Sequence, residues 1–187
     1  MKKLIAHRGN INGPNTLEEN KPEYLINTIN KGFFVELDLW YLNNKLYLGH
    51  DDPQYLIEYS FLLKNREKIF IHCKNIQALY YCLEKNDNLE FFFHDLDDCV
   101  LTSKGNIWTF PGKTLTDKSI CVMPERIEGH CNLNICTGIC TDYLLKYKAE
   151  LAKLNLLFKK IKNNFLLSIM VIKNIYLLVH LNKFMII

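Results

Sequence analysis

The chain has 187 residues, which is enough for one domain with a sizeable hydrophobic core. Hydrophobic residues make up 49% of it and charged residues 23%, a balance that excludes a disordered chain and is typical of a folded globular protein. The formal net charge of +3 is too small to indicate a nucleic-acid partner, and we expect none.

Apolar, β-rich runs recur along the chain and predict a series of strands. They cover Leu4–Ala6, Phe33–Trp40, Lys45–Leu48, Lys68–Cys73, Leu89–His94, Asn106–Phe110, Ser119–Met123 and Gly138–Thr141. Helical spacing predicts helices over Pro22–Lys31, where Gly32 is a C-cap signal, and over Ile76–Lys85. Strands that alternate with helices favour a parallel α/β sheet.

The chain is short for a complete barrel, which usually takes about 250 residues. In addition, the stretches between Phe93 and Met123 are too short for full helices. We therefore predict a small or incomplete TIM-type (β/α) barrel with shortened helices, followed by a C-terminal helical extension.

The pair Asn43-Asn44 predicts a tight hairpin, because asparagine tolerates a positive φ. The hairpin would bring His50 back beside Glu36 and Asp38. An ideal two-residue turn pairs His50 with Leu37, which lies on the wrong face of the strand. A bulge, or an early end to pairing near Gly49, is therefore needed.

Three short segments at the downstream ends of predicted strands carry the chemistry: His7-Arg8-Gly9, Glu36-Leu37-Asp38 and His50-Asp51. In a strand, Glu36 and Asp38 share one face, where two partly buried carboxylates repel each other. A divalent cation would remove that repulsion. The pair alone fits a solvent-facing strand equally well, but the flanking histidines favour a metal-assisted site.

Four of the six histidines end apolar strands, where the site of an α/β barrel lies. They are His7, His50, His72 and His94. Any one of them would also fit an ordinary core position, and for His94 alone we favour that interpretation.

In this order and spacing, the motifs His7-Arg8-Gly9, Glu19-Asn20, Glu36-x-Asp38 and His50-Asp51 resemble the glycerophosphodiester phosphodiesterase family. Two later segments agree more loosely: the strand that ends in Lys74, and Gly138–Tyr143. The resemblance covers roughly Leu4 to Tyr143. Taken together, these motifs resemble those of a short, abridged member of the phospholipase C-like phosphodiesterase TIM-barrel superfamily.

The resemblance implies a metal-dependent phosphoric diester hydrolase that acts on a glycerophosphodiester or a related lipid head group. It implies a division of roles: proton transfer by His7 and His50, phosphate binding by Arg8 and Lys74, metal binding by Glu36 and Asp38, and support of these groups by Glu19, Asn20 and Asp51. Which histidine is the acid stays open. Two alternatives are a phospholipase D-like lyase that acts on a lysophospholipid and an inactive phosphate- or phospholipid-binding relic.

The chain departs from the family at His72, where a third acidic metal ligand is usual. We expect one divalent metal, Mg²⁺ or Ca²⁺, and a histidine ligand at this position would also allow Mn²⁺. Alternatively, His72 contacts the phosphate instead of the metal.

Seven cysteines at irregular spacing include no C-x-x-C pair, so His130, Cys131, Cys136 and Cys140 make a poor zinc set. Because a strand-like run begins by Leu4, we expect no signal peptide, a cytoplasmic location and reduced thiols.

The character of the chain changes after Tyr143, which divides it into a phosphodiesterase-like barrel (residues 1–143) and a basic, apolar helical tail (residues 144–187). The longest uncharged run in the tail is about ten residues, short of the roughly 18 of a spanning helix. Lys159, Lys160 and Lys162 precede the apolar run, a pattern that favours peripheral membrane contact over packing against the barrel.

Overall fold

The computed structural model describes residues 2–85, 87–127 and 131–184, with the side chains of the last helix described up to residue 162 and at residues 165–166. The strands are Lys3–His7 (β1), Phe34–Leu42 (β2), Lys45–Leu48 (β3), Tyr55–Ile57 (β4), Ile69–Cys73 (β5), Phe91–Phe92 (β6), Cys99–Leu101 (β7), Ile107–Thr109 (β8), Ser119–Val122 (β9) and Gly138–Thr141 (β10). The helices are Pro22–Asn30 (α1), Tyr59–Asn65 (α2), Ile76–Lys85 (α3) and Leu144–Phe184 (α4), and Pro124–Arg126 forms one turn of 3-10 helix.

One sheet contains all ten strands, and seven of them run parallel in the order β6-β5-β2-β1-β10-β9-β8. The first strand lies in the middle, where Ile5 is in register with Phe34 of β2 and with Cys140 of β10. The other three strands are antiparallel additions. β3 and β4 extend the far end of β2, and β7 lies along β8.

The sheet curls around a core of inward side chains contributed by six of the parallel strands. They are Ile5, Phe70, Phe92, Trp108, Ile120 and Cys140. The curl brings the two ends of the parallel series together, since the rings of Phe92 and Trp108 lie 4.6 Å apart. There the Ser103 amide donates to the Phe91 carbonyl (2.9 Å), so a turn instead of a strand ladder joins the ends. The result is a mixed α/β fold with an incomplete barrel.

The first three helices pack on the outer side of the curl. Val35, Leu37 and Leu39 of β2 are fully buried there, in a cluster that includes Leu25 of α1 and Leu62 of α2. Each such leucine contributes about 1.5–3 kcal/mol through burial. Because side chains alternate along a strand, the same packing turns Glu36 and Asp38 into the curl.

Every predicted strand and helix is present, with some changes in length. The strand expected at Leu89–His94 is reduced to Phe91–Phe92, and β4, α2 and β7 were not predicted. No α-helix lies between Phe93 and Met123, all of which the structure describes, as the short spacings there predicted.

The predicted hairpin forms, with Asn43 and Asn44 at φ angles of 48° and 61°. Its ladder runs from the pair Leu42–Lys45 to the pair Leu39–Leu48, and a last hydrogen bond from the Gly49 N–H to the Asp38 carbonyl (3.2 Å) ends the pairing at Gly49. This is the early end to pairing that the position of His50 required.

The chain separates into two compact units, residues 1–145 and 146–187. The second unit is the continuation of α4, which exposes large apolar side chains, among them Leu156, Phe158 and Phe165. None of the described helices is both long enough and apolar enough to cross a membrane.

Candidate active site

A cavity of about 510 Å³ lies at the carboxyl ends of the parallel strands. One side is polar, with the predicted site residues His7, Arg8, Glu36, His50, His72 and Lys74 on its wall. The opposite side is mainly apolar and includes Trp108, Phe110 and Met123. The fold therefore brings most of the predicted site into one cavity.

The two carboxylates of β2 are almost entirely removed from solvent, with Glu36 3% exposed and Asp38 0%. Asn20 holds Asp38 from two directions: its amide donates to Oδ2 (2.9 Å), and its carbonyl oxygen accepts from the Asp38 backbone N–H (2.9 Å). Asn20 has a positive φ of 63°, which asparagine tolerates. This predicted supporting residue thus contacts Asp38 directly.

The environments of the two carboxylates push their protonation in opposite directions. Burial, together with the charge of Asp38, raises the pKa of Glu36 to about 7. Burial also acts on Asp38, but a hydrogen bond from His72 and the charges of Arg8 and Lys74 outweigh it and hold the pKa of Asp38 well below its usual range. At neutral pH the pair therefore holds between one and two negative charges.

Glu36, Asp38 and His72 form a cluster whose potential ligand atoms all lie within 4.8 Å of one another. The His72 Nδ1 is 3.0 Å from the Asp38 Oδ1 and 3.8 Å from the Glu36 Oε1. Burial lowers the pKa of His72 to about 4, so the imidazole is neutral at pH 7 and Nδ1–H donates to Asp38. Two hard oxygen donors and one neutral nitrogen suit a divalent cation, which would also relieve the repulsion within the carboxylate pair. For Nδ1 to act as the ligand, the ring proton must move to Nε2, so the cation would replace the hydrogen bond to Asp38.

His7, the last residue of β1, is oriented by a carboxylate at the end of the neighbouring strand β10. Its Nδ1 is 2.8 Å from Oδ1 of Asp142, which directly follows β10. Burial lowers the pKa of His7, but the hydrogen bond to Asp142 and the charge of Glu36 more than compensate, so the net shift is upward. Asp142 is itself held by the Asn10 amide (2.8 Å). The hydrogen bond leaves the His7 Nε2 as the nitrogen available for proton transfer.

His50 reaches the cavity from the loop after β3. The ladder stops at Gly49, where a Cβ would lie 2.0 Å from the Asp52 carbonyl oxygen, so only glycine fits. The indole of Trp40 donates to the Gly49 carbonyl (2.7 Å) and anchors the loop. The His50 Nδ1 is 2.6 Å from the exposed Asp51, and burial lowers the pKa of His50.

Arg8 contacts three carboxylates on the polar side of the cavity. Its backbone N–H donates to Glu36 (3.1 Å), and its guanidinium donates to Glu19 (3.0 Å) and lies 3.2 Å from Asp38. Lys74 adds a second cation 3.7 Å from Asp38. Both predicted phosphate-binding residues therefore line the cavity and neutralise buried carboxylates at the same time.

Several residues of the site were not given roles by sequence reasoning. His94, for which an ordinary core position was favoured, is part of the cavity wall and stacks on His72 with ring centroids 4.5 Å apart. Asp142 lies in a segment that the sequence singled out only as a strand end. Asn10 and Arg126 carried no sequence signal, because isolated polar residues in loops are common.

The cysteines do not gather into the weak zinc set. Cys140 points into the inner core of the curl, whereas the Cys131 thiol faces Cys121 on the outer side of β9. His130 lies outside the described residues. All seven cysteines are free thiols.

Comparisons of the chain with family profiles, with curated proteins and with solved structures found no match. Any function must therefore be argued from the geometry of the cavity.

Proposed function

We propose that the protein is a metal-dependent phosphoric diester hydrolase of the glycerophosphodiester phosphodiesterase type, which acts on a glycerophosphodiester or a related lipid head group. The observation that carries the proposal is the cluster of Glu36, Asp38 and His72, which shares one cavity with the two histidines His7 and His50. In the same proposal, the curled sheet is an abridged TIM-type barrel, because its site lies at the carboxyl ends of parallel strands.

Glu36, Asp38 and His72 would hold the cation, either Mg²⁺ or Ca²⁺, and the nitrogen of His72 would also allow Mn²⁺. When bound, the cation supplies positive charge to a phosphodiester oxygen. Arg8 and Lys74 line the same wall and add positive charge where the transition state develops negative charge. The protein thus surrounds a bound phosphate with fixed cationic groups.

The two histidines divide the proton transfers between them. The environment raises the pKa of His7 and lowers that of His50, a separation that favours His7 as the acid and His50 as the base. Neutral His50 takes the proton of the nucleophile, and protonated His7 gives its proton to the leaving alkoxide. The nucleophile is either a water molecule or a neighbouring hydroxyl of the substrate, and the latter leaves a cyclic phosphate.

The test is a rate assay on a panel of glycerophosphodiesters and lysophospholipids with added Mg²⁺, Ca²⁺ or Mn²⁺. His7→Ala and His50→Ala should each lower the rate by about 10²–10⁴-fold. Arg66→Ala is the matched surface control, since its side chain is about half exposed and pairs only loosely with Glu67 (3.6 Å). Full activity in EDTA, or in the double variant of His7 and His50, contradicts the proposal.

Analysis of the reaction products distinguishes the possible activities of the cavity. A linear phosphomonoester indicates hydrolysis, and a cyclic phosphate indicates a lyase that uses a substrate hydroxyl. Saturable binding of a phosphodiester with no turnover in any metal would identify a binding protein and refute the enzymatic assignment.

A further inference from the structure

Two cysteines face each other on the outer side of the sheet, away from the cavity. The Sγ atoms of Cys121 and Cys131 are 3.7 Å apart. Cys121 belongs to β9 and is 1% exposed, whereas Cys131 lies on the segment that returns toward β10 and is partly exposed. Ten positions of chain separate them.

The chain between these cysteines carries two groups that matter to the cavity. One Glu125 carboxylate oxygen accepts hydrogen bonds from the Thr141 hydroxyl (2.7 Å) and from the Asp142 backbone N–H (3.0 Å). Arg126 lies on the cavity wall. Since Asp142 holds His7, the position of this segment is linked to a proposed proton-transfer group through two hydrogen-bonded contacts.

We propose that Cys121 and Cys131 are a thiol modification site, which closes to a disulfide and clamps the segment that carries Glu125 and Arg126 onto β9. A disulfide has an S–S bond of about 2.0 Å, so closure requires the two sulfurs to move from 3.7 Å to that separation. The movement falls on the Cys131 side, because Cys121 is fixed in a strand that is paired on both edges. The clamp does not depend on the proposed phosphodiesterase activity.

The chemistry is a thiol–disulfide exchange with a small-molecule disulfide such as oxidised glutathione. The Cys131 thiolate attacks one sulfur of that disulfide, forms a mixed disulfide and releases one thiolate. The Cys121 sulfur then attacks Sγ of Cys131, and its proton passes to the second small thiolate as that group leaves. Two protein thiols are oxidised, one small disulfide is reduced to two thiols, and the atoms balance.

The surroundings of the two thiols fit this order of events. Partial exposure lets Cys131 meet the small disulfide, whereas Cys121 is reached only from within the protein. Burial and the neighbouring Cys131 raise the pKa of the Cys121 thiol. Because the protein does not stabilise the Cys121 thiolate, the reduced pair gains no stability from ionisation. The disulfide should therefore resist reduction once it has formed.

The test is incubation of the folded, full-length protein with oxidised glutathione, followed by intact-mass measurement and peptide mapping. We expect a cross-linked peptide that joins Cys121 to Cys131, and an intact mass lower by two hydrogen atoms than that of the same protein carrying its glutathione adducts alone. Exposed Cys99 should gain only a glutathione adduct and serves as the internal control for reagent access. Cys131→Ser should abolish the cross-link, and Cys136→Ser, the matched control on the same segment, should retain it.

A second measurement reports the clamp itself. Amide hydrogen exchange at Arg126 and Asp142 should slow in the oxidised protein and return to the original rate after reduction. Glutathione adducts alone, a cross-link to Cys136, or a cross-link that leaves exchange unchanged at both amides would each overturn the proposal.

Discussion

Replacing Glu36 with glutamine should stabilise the metal-free protein while removing a ligand of the proposed cation site. The pKa of Glu36 is raised by burial from 4.5 to about 7, so the folded protein holds a proton that the unfolded chain releases between those two values. Stability from this group is therefore fully present below pH 4.5 and is lost as the pH rises toward 7. The difference of roughly 2.5 pKa units corresponds to at most about 3 kcal/mol.

Glutamine keeps the size of the side chain and an oxygen that can accept the Arg8 backbone N–H, but it carries no charge. Relative to the wild type, Glu36→Gln should be more stable by up to about 3 kcal/mol at pH 8 in EDTA and nearly equal at pH 4.5. Urea unfolding curves at the two pH values measure this difference. Equal stability at both pH values, or a less stable variant at pH 8, refutes the reasoning.

A divalent cation should reverse that order. At a concentration of 100 times its Kd, a ligand that binds only the folded state adds about 2.7 kcal/mol, and only the wild type should gain it. Because the cation competes with the proton on Glu36, its affinity for the wild type should rise with pH up to about 7 and then level off. Calorimetric titration in two buffers of different ionisation enthalpy would show the released proton.

Three further substitutions test other parts of the cavity. Asp142→Asn should lower the rate by about 10²-fold or more. It should also shift the basic limb of the pH–rate profile to lower pH, because it removes the charge that raises the pKa of His7. An unchanged basic limb would mean that His7 is not the group whose titration sets that limb. His72→Glu should strengthen Mg²⁺ relative to Mn²⁺ in direct binding titrations, and an unchanged ratio would place His72 outside the metal site. Gly49→Ala should displace His50 and lower the rate by about 10²-fold. The control is Gly105→Ala, at a glycine that also has a positive φ (79°, against 148° at Gly49) but has open space for a Cβ, and its rate should be unchanged. Equal rates for the two variants would contradict the role of the loop.

The sequence contained most of what is needed to assemble the fold, because its signals are local. Apolar runs with alternating side chains set the strands, and the asparagine pair at positions 43 and 44 set the hairpin. The short stretches between Phe93 and Met123 also correctly predicted that no full helix forms there. What it did not supply was β4, α2 and β7, whose three to seven residues are too few to show a clear periodicity.

In the candidate site, too, local features could be predicted from the sequence and long-range contacts could not. Glu36 and Asp38 could be assigned to one face of one strand, because their spacing alone fixes it. The bond between His7 and Asp142 joins residues 135 positions apart, and no local pattern reports such a contact. The proposed roles of the two histidines could not be assigned from the sequence, because Asp142 raises the pKa of His7 while burial lowers that of His50.

The central place of β1 has a consequence for how the chain reaches this structure. β1 emerges long before β10 during synthesis, yet one of its two edges is completed by β10, with Lys3 opposite Gly138. Until that late strand arrives, the edge offers unpaired backbone groups to any other extended chain. Contacts this distant in sequence slow folding, so refolding should take milliseconds to seconds rather than microseconds. A chain that ends before Gly138 should aggregate through its open β1 edge.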